Sequence, residues 1–247
     1  MAPPAVVFDV DGTLVDSERH GHRVAFNLAF EELGLPYRWD EAEYGELLRT
    51  TGGQRRIEGY LAAHGVGDER AGLAAALHQR KTAIMTGLIE EGRIAARPGV
   101  VRLLAELSGA GSALAVATTG SRSWVERVLA RSTPDAVFAV VVTGDDVKAR
   151  KPDSEAFTRA VEQLGLPAGD VVAVEDSTEG LESAKGAGLR CAVVVNGYTE
   201  DHDLAAADLV LDGFGEPGQP ARVLADPCRT GCTGILDART LARLLRS

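Results

Sequence analysis

Two aspartates, Asp9 and Asp11, close the apolar run AVVFDV near the N-terminus. Ionised carboxylates at the end of an interior strand are expensive without a counter-charge, so the pair asks for something positive beside it. Reading the next apolar runs to their ends yields Thr118 and Thr119 after ALAVA, Lys151 in ARKPDSEAF beyond AVVVTGD, and Glu175 with Asp176 after DVVAV. Groups that act in an open α/β sheet collect beyond the carboxyl ends of the strands. The acids are therefore expected along one edge, with hydroxyls and an ammonium beside them. All-oxygen acidic ligands suit a hard cation such as Mg2+, which keeps several waters and bridges carboxylates to a phosphate. A helix–loop–helix calcium site does not fit, since it needs glycine at its sixth position and glutamate at its twelfth. Gly12 is the fourth residue counted from Asp9, and the segment before it reads as a strand.

The elements that must position these groups are legible as alternation. The Val- and Ala-rich runs AVVFDV, ALAVATT, AVVVTGD and DVVAVEDS read as buried parallel strands, with CAVVV from 191 as a fifth. Amphipathic segments such as RPGVVRLLAELSGAG and SEAFTRAVEQLGL separate them with helical periodicity. Strand–helix alternation predicts a doubly wound, Rossmann-like parallel sheet. The stretch 17–92 breaks the pattern: AFNLAFEELG, DEAEYGELLRT, RRIEGYLAAHG and ERAGLAAALHQRKTAIM are helical, and no strand interrupts them. An all-helical insertion (17–92) is therefore expected to divide one α/β domain (1–16 and 93–247), with Arg97-Pro98-Gly99 restarting the alternation. There is no internal repeat, and GFGEPGQPAR at 213–222 reads as an irregular surface loop.

Composition narrows the function. The 247 residues are 45% hydrophobic and 25% charged, as in a globular protein with a sizeable core. A net charge of −10 argues against a nucleic-acid partner but leaves room for a small anionic substrate held by local cations. No apolar run reaches the ~20 residues of a membrane span, and the N-terminus lacks the features of a secretory signal. The expectation is a cytoplasmic protein with no membrane partner. Cys191, Cys228 and Cys232 do not form a disulfide framework, and the C-x3-C spacing of Cys228 and Cys232 lacks a second pair for zinc.

DVDGT at the end of the first strand, Thr118 after ALAVA, Lys151 before Pro152, and the Glu175-Asp176 pair resemble, in order and strand placement, the four motifs of the haloacid dehalogenase superfamily. The helical insertion is similar to the cap of the β-phosphoglucomutase-like subgroup. Within it, GHRVAFN at 21–27, WDEAEYGELL at 39–48 and TTGGQRRI at 50–57 resemble the CbbY-type phosphatases of xylulose 1,5-bisphosphate. The resemblance covers roughly residues 5–215; the tail from ADPCRTGC onward carries no functional motif.

The resemblance implies a phosphatase of small phosphorylated sugars, with Asp9 as nucleophile and Asp11 as general acid and base. It implies Mg2+ held by Asp9, the backbone carbonyl of Asp11 and Asp176, with Glu175 direct or through water. Lys151 would clamp the phosphate, and Thr118 would bind it with the backbone N–H groups of Thr119 and Gly120 at a helix start. In the cap it implies substrate contacts at Glu18, Thr51, Gly52, Gly53, His78 and Lys81. Gln54 stands where the family has lysine, which leaves Arg55 or Arg56 to supply the lost cation. The competing roles are structural. Thr118 or Asp176 would cap a helix, Lys151 would be a solvated lysine, and His78 with Lys81 a solvated helix face. Arg55 and Arg56 would be surface residues, and Trp39 and Tyr44 packing. Two further functions stay open: a β-phosphoglucomutase-type mutase, with the same core residues but typically Val in place of Thr13, and a non-catalytic phosphate-sensing module. A monomer is expected.

Overall fold

The computed structural model describes residues 3–50 and 52–246; Thr51, one of the expected cap contacts, lies outside them. By their internal contacts the residues fall into two compact units, Met1–Asp16 with Ala95–Ser247, and Ser17–Ile94.

The first unit is built on a seven-stranded sheet ordered β3-β2-β1-β4-β5-β6-β7. Its strands are β1 (Ala5–Phe8), β2 (Leu114–Ala117), β3 (Val140–Val142), β4 (Val171–Glu175), β5 (Arg190–Val194), β6 (Leu209–Leu211) and β7 (Val223–Ala225). The first six run parallel, while β7 pairs antiparallel with β6. Every residue of β1, β2 and β4 is buried, as expected of parallel strands covered on both faces. From β1 the chain builds outward through β2 to β3, then returns to place β4 on the other side of β1. The winding reverses there, and such a switch point opens a crevice at the carboxyl ends of the two central strands. Phe8 aligns with Val174, so Asp9 on β1 and Glu175 on β4 emerge at the same level.

The sequence reading missed β6 and β7. LVL and VLA are three residues each, too short for a periodic signal, and β7 is an exposed edge strand. The segment 213–222 is the irregular connection between them. Among the described residues the unit also holds α5 (Val100–Gly109), α6 (Arg122–Ser132), α7 (Glu155–Leu164), α8 (Thr178–Gly186) and α9 (Ala238–Leu244). No described helix is long and apolar enough to cross a membrane. Cys191, Cys228 and Cys232 are free thiols.

The second unit is all-helical. A π-helical turn (Glu18–His22) leads into α1 (Arg23–Glu32), followed by α2 (Glu41–Leu48), α3 (Gly53–Ala63) and α4 (Arg70–Glu90). Asp40 caps α2 by accepting the Glu43 N–H at 2.8 Å. The core is aromatic: Trp39, fully buried, lies 4.8 Å from the Phe26 ring centroid, 4.9 Å from Phe30 and 5.1 Å from Tyr60. Asn27 fixes it by bonding both the N–H and the carbonyl of Trp39 at 2.8 Å. Trp39 is therefore packing.

Beside that core, Lys81 Nζ sits 2.5 Å from His22 Nδ1. Packing around the His22 ring, reinforced by the Lys81 cation, lowers its pKa to about 3. The folded ring stays neutral where an unfolded histidine, with a pKa near about 6.5, takes up a proton. This contribution to stability is complete above about pH 6.5 and drains away toward about pH 3. Going from pH 7 to pH 5 should cost about 2 kcal/mol through this group. His22→Gln, which can still accept from Lys81, should flatten the profile. Urea unfolding followed at Trp39 in a Trp124→Phe background measures it, and parallel pH profiles for the two proteins would refute the assignment.

Candidate active site

The end of β1 turns sharply at Gly12, whose φ of 92° suits glycine alone, and the Gly12 N–H closes the turn on the Val15 carbonyl at 2.8 Å. A Cβ on Gly12 would also stand 2.4 Å from Asp176 Oδ2. The turn thus presses the Asp9–Asp11 segment against the acids of β4. Asp9 is 5% exposed and its N–H bonds the Val174 carbonyl at 3.0 Å. Asp11 is half-buried.

The acids are organised around one ammonium. Lys151 Nζ donates to Asp9 Oδ1 at 2.7 Å and to Glu175 Oε1 at 2.5 Å, with its side chain 7% exposed. The solvated-lysine alternative is thereby excluded. Glu175 is committed at both oxygens, since Oε2 accepts from the Asp176 N–H at 2.9 Å and from Ser177 Oγ at 3.3 Å. Gly180 makes room for it: a Cβ there would fall about 2.0 Å from the Glu175 carboxylate. Asp176 is held by Thr13 Oγ1 at 3.0 Å and Asn196 Nδ2 at 2.7 Å. The cap of α8 is Ser177, which accepts from the Gly180 N–H, so Asp176 is released from the structural role considered for it.

Three buried carboxylates, Asp9, Glu175 and Asp176, bring oxygens within 4.8 Å of one another, and among the described residues Lys151 is the one cation bonded within the group. The imbalance shows in their acidities. Burial, followed by the charges of Glu175 and Asp11, pushes Asp9 up to about 7 against the pull of Lys151. Burial and the charges of Glu175 and Asp9 likewise hold Asp176 well above the carboxylate range. Burial pulls the Lys151 ammonium down, but Asp9 and Glu175 outweigh it and its pKa stands above the ordinary value. Among the described residues Asp9 Oδ2 is buried with no hydrogen-bond partner. An orphaned carboxylate oxygen in an all-oxygen, negatively charged cluster is what a hard divalent cation would satisfy.

Across the sheet, Thr118 is 1% exposed at the end of β2, its N–H bonding the Val142 carbonyl at 3.0 Å. The expected helix start at Thr119 and Gly120 needs correction. Helix α6 begins at Arg122 behind Ser121, so Thr118 does not cap it, and 119–120 form a loop ahead of it. The Gly120 N–H is turned back toward Thr118 Oγ1 at 3.4 Å. Gly144 braces this loop with a 2.8 Å bond to the Gly120 carbonyl.

The expected substrate contacts of the helical unit divide. Glu18 Oε2 accepts from Tyr44 Oη at 2.5 Å, and Tyr44 Oη accepts from Arg56 Nη1 at 3.1 Å. Arg56, 8% exposed, also donates to the Leu47 carbonyl at 3.0 Å. Arg55 and Gln54 are exposed, with Gln54 Nε2 on Glu58 at 3.2 Å. The two arginines are therefore unlike, and only Arg56 is built into a network. Lys81 is buried against His22, contrary to a solvated helix face, whereas His78 is half-buried at α3's first residue, where a Cβ on Gly53 would lie 3.1 Å from its ring. Gly52, with φ 93°, caps α3. Tyr44 combines full burial with a polar hydroxyl in this network. Asn196 was missed, although reading the fifth strand to its end, as was done for the others, reaches it.

Residues 3–188 match the haloacid dehalogenase-like hydrolase family. Protein CbbY of Cereibacter sphaeroides is 45% identical over 217 residues, 87% of this chain and 94% of that protein. A CBBY-like protein of Arabidopsis thaliana is 38% identical over 87% of this chain and 70% of its own length. Among solved structures, CbbY from Rhodobacter sphaeroides in complex with phosphate superposes with a TM-score of 0.73 at 43% identity, over 85% of this chain and 94% of that one. A variant of the same enzyme, solved with xylulose 1,5-bisphosphate, gives 0.73 at 42% identity over the same shares. Matches of this extent, over a cluster of this chemistry, show that the chain belongs to the haloacid dehalogenase-like hydrolases, in their CbbY-like branch, and is a phosphoric monoester hydrolase.

Proposed function

We propose that the protein is an Mg2+-dependent phosphatase of small phosphorylated sugars, with xylulose 1,5-bisphosphate as its preferred substrate. The observation that carries this reading is the Asp9 carboxylate, anchored at Oδ1 by Lys151 and unpartnered at Oδ2 inside an acidic cluster. The complex of the CbbY relative with that bisphosphate supports the choice of sugar.

Asp9, the backbone carbonyl of Asp11 and Asp176 would hold Mg2+, while Glu175, with both oxygens engaged, serves to fix Lys151. When bound, the cation offsets the repulsion between a carboxylate and a phosphate dianion and keeps Asp9 ionised. The Asp9 carboxylate attacks phosphorus, the bond to the sugar oxygen breaks, and Asp11 hands its proton to that oxygen. Asp11 then takes a proton from the water that attacks the aspartyl-phosphate, releasing phosphate and regenerating Asp9. Lys151 steadies the phosphoryl oxygens throughout, and Thr118 with the 119–120 loop orients them.

The cap residues Glu18, Thr51, Gly52, Gly53, Gln54, Arg55, His78 and Lys81, together with Arg56, are assigned to the sugar and its remote phosphate. Within that group the cation load falls on Arg56 and Lys81, since Gln54 carries no charge.

The reading is open to direct measurement. Asp9→Asn removes the nucleophile without adding bulk and should abolish turnover in protein that folds as the parent does; substantial residual turnover excludes the covalent route. EDTA should stop phosphate release and Mg2+ restore it, with Ca2+ inhibiting through its looser coordination. Thermal stabilisation by Mg2+ should vanish in Asp176→Asn. Arg56→Lys should lower kcat/KM for the bisphosphate by about ten- to a hundredfold, or roughly 1.4–2.7 kcal/mol, and leave a small aryl phosphate nearly unaffected. Arg55→Ala should matter less. Parallel losses on both substrates would remove Arg56 from the site. Assaying free phosphate against isomerised sugar phosphate separates the phosphatase from the mutase.

A further inference from the structure

Arg97 is a half-buried cation whose side-chain hydrogen bonds go to backbone carbonyls, while the charges of Asp176 and Asp16 act on it from beyond ion-pair distance. Nη1 donates to the Gly12 carbonyl at 2.6 Å and the Val194 carbonyl at 2.9 Å, and Nη2 donates to the Val195 carbonyl at 2.6 Å. Among the described residues no carboxylate oxygen lies within ion-pair distance of its guanidinium. The Phe214 ring covers it, with the guanidinium carbon 5.5 Å from the centroid. Its own N–H bonds the Leu14 carbonyl at 2.9 Å, and Val15 bridges to Ala96, so the side chain is launched from a segment already paired with the loop it grips.

The placement follows from the strand order. Strand β4 lies between β1 and β5, and its end carries Glu175 and Asp176. By joining Gly12, just past β1, to Val194 and Val195 at the end of β5, Arg97 spans the mouth of β4. A second donor converges on the same carbonyl: Asn196 Nδ2 reaches Gly12 O at 3.3 Å and Asp176 Oδ2 at 2.7 Å. Two donors from separate parts of the chain thus hold the carbonyl of Gly12, the residue next to Asp11.

We propose that Arg97 is a positioning residue of the catalytic loop, acting through the Gly12 carbonyl to set the Asp11 side chain. The forked guanidinium is needed because three carbonyls from two strands must be met at once; a lysine keeps the charge but offers a single point. A loop misplaced by about 1 Å loses on the order of a hundredfold in rate while substrate binding is largely kept.

The proposal rests on the reading of Asp11 as the general acid, so Asp11→Asn, Arg97→Lys and the double variant are measured together on a ketose bisphosphate and on p-nitrophenyl phosphate. In Arg97→Lys, kcat on the bisphosphate should fall about ten- to a hundredfold and KM change by less than about threefold, with a loss of at most about threefold on the aryl phosphate. In the Asp11→Asn background the same substitution should add less than about twofold, because the loop it aligns has already lost its reacting group. Losses that multiply in the double variant overturn the proposal, as does a lowered Tm with kcat unchanged. Equal losses on both substrates in Asp11→Asn alone overturn the acid assignment instead; the non-additivity still reports whether Arg97 sets that loop. Should Arg97→Lys fail to fold, Arg97→Gln, which keeps one amide donor for these carbonyls, takes its place in the cycle, and multiplying losses there overturn the proposal equally.

Discussion

The structure is organised around three buried carboxylates that share one bonded ammonium. Asp9, Glu175 and Asp176 converge where the winding of the sheet reverses, and Lys151 bonds the first two. Leaving acids in low dielectric with too little positive charge is costly, and the raised pKa values of Asp9 and Asp176 register that cost. The fold tolerates the arrangement because the sheet around it is buried and tightly paired. A divalent cation among these acids would relieve that cost and offset the approach of an anion.

The surrounding backbone is shaped to that cluster. Gly12 and Gly180 are absences of side chain as much as turn formers, since a Cβ at either would run into the carboxyl of Asp176 or Glu175. Glu175, Ser177 and the Asp176 N–H interlock at the start of α8, which frees Asp176 to face Asp9. Arg97 and Asn196 then tie the loop after β1 to the end of β5 over these acids. Each such bond removes one way for the carboxylates to drift apart, and preorganisation of this kind is where catalysis gains most.

The helical unit repeats the principle with the opposite sign. Its polar network, Glu18–Tyr44–Arg56 and His22–Lys81, is inlaid in an aromatic core, and cations predominate there. The charges are kept dry: the His22 ring is held neutral beside the Lys81 ammonium, and Arg56 rests against the Tyr44 ring, with its guanidinium carbon 5.3 Å from the centroid. Buried cations suit a polyanionic ligand better than surface ones, because little water has to be displaced from them.

Strand ends and residue types alone pointed to the acids that the structure gathers, Asp9, Glu175 and Asp176. Asp9, Asp11, Thr118, Lys151, Glu175 and Asp176 each follow an apolar run, and a parallel sheet allows such residues only one edge to meet on. The alternation of strands and helices, and the helical stretch that interrupts it, were readable because long periodic segments carry strong signals. What pairing supplies was not readable. Strands β6 and β7 are too short to be periodic and exist through their neighbours. Arg55 and Arg56 are equivalent as letters, yet one is exposed and the other buried, since the turn of α3 decides which faces Tyr44 and Leu47. Whether Glu175 ligates or supports, and why Arg97 is an arginine, depend on distances between residues far apart in the chain. Those distances belong to the tertiary structure, because hydrogen bonds reach only about 3 Å and sequence separation says nothing about which groups come that close.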